Sequence, residues 1–113
     1  MASSKKYFIL QMIFLVQLLY MSYGRECKSC EKEDHDCLLG QNVRARTCST
    51  ENDLCYIWFD RSGSDVGVQR DCISIDTIEY DVIKDVMGEK MTGCVKRING
   101  LDCFTFCSSD NCN

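Results

Sequence analysis

The chain has 113 residues, ten of them cysteine and none of them proline, with a formal charge of −4. That length sets one small domain as the expectation. The acidic balance argues against phosphate backbones and anionic lipid surfaces as partners, so no nucleic acid is expected.

All ten cysteines fall after residue 26, which separates the first stretch from the rest. Lys5 and Lys6 precede an apolar run from Tyr7 to Met21, interrupted only by Gln11 and Gln17, and Ser22-Tyr23-Gly24 follows. This order reads as a secretory signal peptide over residues 1–24, cleaved after Gly24. The run is short for a bilayer-spanning helix. The remaining 89 residues, 25–113, carry eleven Lys and Arg against seventeen Asp and Glu, a formal charge of −6. A short secreted chain this rich in cysteine reads as a disulfide scaffold. Each bridge is worth on the order of 2–4 kcal/mol, so five can supply what so small a core cannot. The even cysteine count leaves no thiol over. There is no Asn-x-Ser/Thr sequon, so N-glycosylation is not expected.

Cys27-Lys-Ser-Cys30 opens this region, and the charged run Glu31 to Asp36 before Cys37 reads as a solvated loop. Leu38-Leu39 and Val43 flank Gly40-Gln41-Asn42, a turn signal between two short extended pieces. Val43 to Cys48 alternates apolar and polar like a half-buried strand, completing a first hairpin. Leu54-Cys-Tyr-Ile-Trp-Phe59 is the most strand-like stretch of the chain. Turn residues Asp60 to Asp65 lead into Val66 to Cys72, a second hairpin. Tyr56 and Trp58 share one of its faces and Ile57 and Phe59 the other, so a lone hairpin would leave one aromatic pair exposed.

Ile75, Ile78, Val82 and Val86, with Ile83 and Met87, follow helical spacing, predicting a short helix around residues 76–87 with Asp76 as N-cap and Gly88 as stop. The stripe around Ile78 and Val82 reads as packing. Asn99-Gly100 marks the turn of a third hairpin, which runs through Leu101-Asp-Cys103-Phe-Thr-Phe-Cys107 into the close of the chain at Cys112-Asn113.

Catalysis and metal binding find little support in the residues, and neither an enzyme nor a cofactor is expected. Cys27, Cys30 and His35 lie close together, but zinc needs reduced thiolates, and a secreted chain oxidises them. His35, the one histidine, sits inside a run of charges with no nucleophile positioned beside it. Tyr56, Trp58, Phe59 and Arg61 are of the residue types enriched at interface hot spots and are the candidate partner-binding set. Asp60, Ser62, Gly63 and Ser64 could add backbone contacts at the tip of the same hairpin.

Three cysteine-rooted hairpins, an opening C-x-x-C at Cys27 and Cys30, and a closing C-x4-C-N at Cys107, Cys112 and Asn113 together resemble the Ly6/uPAR, or three-finger, family. The resemblance covers Cys27 to Asn113 and implies an all-β, three-finger domain with five disulfides. Ten cysteines admit about 945 pairings. The family pattern implies Cys27–Cys55, Cys30–Cys37, Cys48–Cys72, Cys94–Cys103 and Cys107–Cys112, and it implies that Asn113 packs back into the core. Phe104-Thr-Phe between Cys103 and Cys107 looks more like the arthropod branch, and Ile73 to Gly93 is long for the crossing into finger three. No lipid-anchor signal follows Asn113, so the expectation is a soluble secreted product. Family members carry receptor contacts on their finger tips. The resemblance therefore implies an extracellular or membrane protein partner, with this chain as ligand or modulator of a receptor, ion channel, or junction or adhesion component. The alternative is a structural or lipid-carrier extracellular protein without a receptor. A toxin ranks low because toxins of this fold tend to be basic.

Overall fold

The aromatic and β-branched run Leu54 to Phe59 and the return stretch to Ile73 form the two longest strands, and the rest of the domain is assembled on them. The computed structural model describes residues 2–21 and 24–113. Ser22 and Tyr23 of the expected cleavage signal lie outside the described residues. Helix α1 (Ala2–Met21) covers the apolar run that precedes the cysteines. Among the described residues, no helix is long and apolar enough to cross a membrane.

The following elements are β1 (Glu26–Lys28), α2 (His35–Leu39), β2 (Ala45–Thr47), β3 (Leu54–Ser62), β4 (Asp65–Ile73), α3 (Ile78–Met87), β5 (Thr92–Arg97) and β6 (Gly100–Cys107). β1 and β2 form a two-stranded sheet, and the other four strands form an antiparallel sheet in the order β4-β3-β6-β5. The domain is a small, mostly β fold with five disulfides and one short amphipathic helix, α3.

Disulfides join Cys27 to Cys55, Cys30 to Cys37, Cys48 to Cys72, Cys94 to Cys103 and Cys107 to Cys112. Cys27, Cys48 and Cys55 are buried at the root of the hairpins, with Cys72, Cys107 and Cys112 packed against them. Cys94 and Cys103 instead face each other across β5 and β6, away from that cluster. Asn113, 4% exposed, closes the root. Its Nδ2 donates to the carbonyls of Lys28 and Tyr56, both at 3.0 Å, and its Oδ1 accepts from Lys28 N at 2.9 Å. One side chain thereby ties β1 to β3.

The second hairpin turns on Gly63 and Ser64, since Ser62 pairs with Asp65. Gly63 has φ 63°, which suits the first central position of a II′ turn. The strands therefore run further than the turn residues Asp60 to Asp65 suggest. The expected exposed aromatic pair is not found: Tyr56, Ile57, Trp58 and Phe59 are all half-buried. β3 is not half of a lone hairpin but an interior strand between β4 and β6, and α3 lies across one of its faces.

The segment from Cys27 to Cys48 differs most from what its local pattern suggests. His35 to Leu39 is a short helix where a solvated loop was expected, capped by the Asp34 carboxylate on Asp36 N and closed by Gly40 at φ 68°. The partner of β2 is β1, not Leu38-Leu39. Side chains of β2 are all exposed instead of alternating. In α3, Thr77 and not Asp76 is the N-cap. Its extended backbone lets Oγ1 accept from Tyr80 N at 3.3 Å while donating to Ser74 O at 2.7 Å. Gly88 ends the helix, donating its N–H to Lys84 O at 2.7 Å.

Candidate binding surfaces

Register places Trp58 between Gln69 and Phe104, and Tyr56 between Asp71 and Phe106, so these side chains share one face of the four-stranded sheet. Trp58 and Phe104 stack with centroids 5.9 Å apart and rings 12° from parallel. Helix α3 closes over this face. Tyr80 tilts onto Phe106 at 5.5 Å, and the buried Met87 lies where β5 has no side chain, at Gly93. Between helix and sheet remains a mostly apolar cleft of about 440 Å³, with Tyr56, Trp58, Phe104 and Phe106 as floor and Thr77, Glu79 and Ile83 as rim and roof.

The distal end of the cleft floor is held by charges that satisfy one another. Lys32 reaches over from the segment between Cys30 and Cys37, with Nζ 3.3 Å from the Trp58 ring centroid and 3.0 Å from Asp60 Oδ2. Arg97 pairs with Asp60 and donates to Asp102 at 2.7 Å, while Trp58 Nε1 donates to Asp102 at 3.1 Å. The Lys32 hydrogen bond, with Arg97 adding to it, holds the Asp60 carboxyl below its ordinary value. At the root, burial first and the nearby Asp71 and Glu31 carboxylates next push the Tyr56 phenol up to about 12, although Gln69 donates to it at 3.1 Å. Arg70 donates to Cys37 O at 2.9 Å and to the main-chain oxygen of Asn113 at 2.7 Å, and its burial lowers its affinity for the proton.

The four candidate partner residues are not brought together. Tyr56 and Trp58 floor the cleft, while Phe59 and Arg61 lie on the opposite face, Phe59 half-buried and Arg61 exposed near the hairpin tip. The freely exposed apolar surface is elsewhere. Ile78, Val82 and Val86 are 78%, 58% and 59% exposed along the outer side of α3, and Ile98 at the tip of the third hairpin is 100% exposed. This corrects the reading of the Ile78 and Val82 stripe as packing. A signal for it was present. The helix carries two apolar stripes, Ile78/Val82/Val86 and Tyr80/Ile83/Met87, about 130° apart at 100° per residue, and a single sheet face can cover only one. Phe104 and Phe106 were likewise visible as alternate residues that must share a face.

His35 is exposed at the start of α2. Sulfurs of Cys27, Cys48 and Cys72 lie within 4.8 Å of one another, but each is consumed in a disulfide and offers a metal no thiolate. The fold is that of a small disulfide-rich β domain, consistent with a Ly6/uPAR-like fold, and five disulfides fit an oxidising compartment. No family model, curated protein or solved structure matches the chain.

Proposed function

We propose that residues 25–113 form a secreted three-finger domain of the Ly6/uPAR kind, with residues 1–24 as its cleaved signal peptide. It works by protein–protein contact, as an extracellular ligand or modulator of a membrane receptor, ion channel, or junction or adhesion component. The observation that carries this reading is the outer stripe of α3. Ile78, Val82 and Val86 stand in solvent four residues apart on a helix already anchored through its other side. Contiguous exposed apolar side chains on a small domain mark interaction surfaces. Glu79, Asp81 and Asp85 flank the stripe. Two copies meeting through it would set acid against acid, so the matching surface is basic-rimmed and belongs to another protein.

The test is binding of the labelled protein, purified from cells expressing the full chain, to an array of cells each expressing one receptor, channel or junction protein. Saturable binding to one array member, weakened at least tenfold by Ile78→Asp with Val82→Asp, is the expected result. Both substitutions face solvent, so the fold should survive them, and near-UV circular dichroism checks that it does. Binding indifferent to the double variant would overturn the assignment of the surface, and no saturable binding anywhere would overturn the ligand reading.

A further inference from the structure

The cleft beneath α3 is separate from the outer stripe, and contact with a protein partner leaves it unused. At about 440 Å³ it falls within the range of small-molecule sites. It is too narrow for a folded partner. Its floor holds four aromatic rings, and Ile73 and the overlying Ile83 add aliphatic surface. Gln69 lies in the floor beside Trp58 with its amide committed to the Tyr56 hydroxyl at 3.1 Å, and the other polar groups, Ser74, Thr77 and Glu79, line the edges. Thr77 already has its hydroxyl committed to the helix cap and to Ser74, so it has little left for a ligand. Glu79 stands on the rim, exposed, and takes part in none of the ion pairs among the described residues.

The charges decide what head group such a cleft takes. Lys32 is the nearest cation to the aromatic floor, and it is neutralised by Asp60 and seated on Trp58. Its position shows that the indole face receives a cation, as ring quadrupoles do. Arg46 is likewise held by Asp71 at 2.9 Å. Glu79 is thus the uncompensated charge of the rim, in a domain whose formal charge is −6. An anionic amphiphile would meet no free cation there and would be repelled.

We propose that this cleft is a binding site for a small cationic amphiphile, its single aliphatic chain or aromatic body lying on the Trp58–Phe104 floor and its ammonium head at Glu79. The domain then carries two surfaces, one for a protein and one for a small molecule. The site stands whether or not the protein-contact reading does.

Trp58 is the one tryptophan of the chain, so its emission reports on the cleft directly. The experiment titrates the protein purified from cells expressing the full chain with dodecyltrimethylammonium, dodecanol and dodecanoate, all below their aggregation limits. The expected result is a saturable emission change with the ammonium compound, weakened about tenfold or more on shortening its chain by two methylenes. Dodecanol should bind about two- to fivefold more weakly, as suits a rim-exposed charge contact, and Glu79→Gln should erase that difference. Intermolecular nuclear Overhauser contacts from the ligand chain to Phe104 and Ile83 locate the site without a variant. Dodecanoate binding as tightly as the ammonium compound would overturn the head-group assignment. No saturable change with any probe, or contacts to residues outside the cleft, would overturn the site itself.

Discussion

Replacing Asn113 by alanine removes the side chain that closes the root of the domain. Three hydrogen bonds go with it, to Lys28 N at 2.9 Å and to the Lys28 and Tyr56 carbonyls at 3.0 Å each. A typical internal hydrogen bond nets about 0.5–1.5 kcal/mol, so the set is worth roughly 3 kcal/mol. At 4% exposure water reaches these backbone groups poorly, which keeps the loss from being made good by solvent. The disulfides still hold the hairpins together, so the variant should fold but yield earlier to denaturant. With a guanidinium slope of about 2 kcal/mol/M, the midpoint should fall by about 1.5 M under non-reducing conditions. Asn113→Asp keeps an acceptor for Lys28 N but turns a second oxygen toward two carbonyls, and it should lose at least as much. A loss below about 0.5 kcal/mol for the alanine variant would refute the assignment of Asn113 as the tie between β1 and β3.

Met87→Ala should cost about 2–4 kcal/mol, because the buried thioether anchors α3 over Gly93; loss of helical circular dichroism at lower denaturant than the sheet signal checks it. Ultraviolet titration should show one phenol, Tyr56, ionising near pH 12, and Gln69→Leu should raise it further by removing the bond to its oxygen. The folded value lies above the ordinary 10.0, so this group's stability is complete below about pH 10 and is lost as the pH rises through about 12. Asp60 behaves in the opposite sense. Its folded value is depressed, so its contribution is present above the ordinary 3.8 and disappears as the pH falls through the lower folded value. Asp60→Asn should therefore be less stable than the wild-type chain at pH 7, with the difference shrinking as the pH falls below the ordinary 3.8, measured by denaturant midpoints.

The hairpins and the helix were legible because each rests on local pattern. Leu54 to Phe59 could be little but a strand, and the spacing of Ile78 to Met87 before Gly88 favoured a helix, although its Ile and Val content left a strand open. The segment from Cys27 to Cys48 was not legible for the same reason in reverse. Its charged run gives no periodicity, and α2 exists because Asp34, Cys37 and Gly40 cap and staple a single turn. What Trp58 packs against was hidden because it depends on β6 docking beside β3, a pairing that sets Trp58 beside Phe104, far away along the chain. The cleft was hidden with it, since it needs α3 to fold back over that face. Spacing alone left the disulfide pairs among many arrangements, and only the whole-chain resemblance narrowed them. The exposed stripe of α3 was in view as sequence, yet its side of the helix could not be assigned before the sheet was.

The measurement that bears most directly on protein contact through α3 is photocrosslinking from that helix. A benzoyl-phenylalanine placed in turn at Val82, at Ile98 and at the exposed Leu39 of α2 would be activated on cells that bind the protein. The account expects one membrane protein to be captured from position 82 and not from position 39. Capture of that protein from position 39 with none from position 82 would contradict it and move the contact to α2.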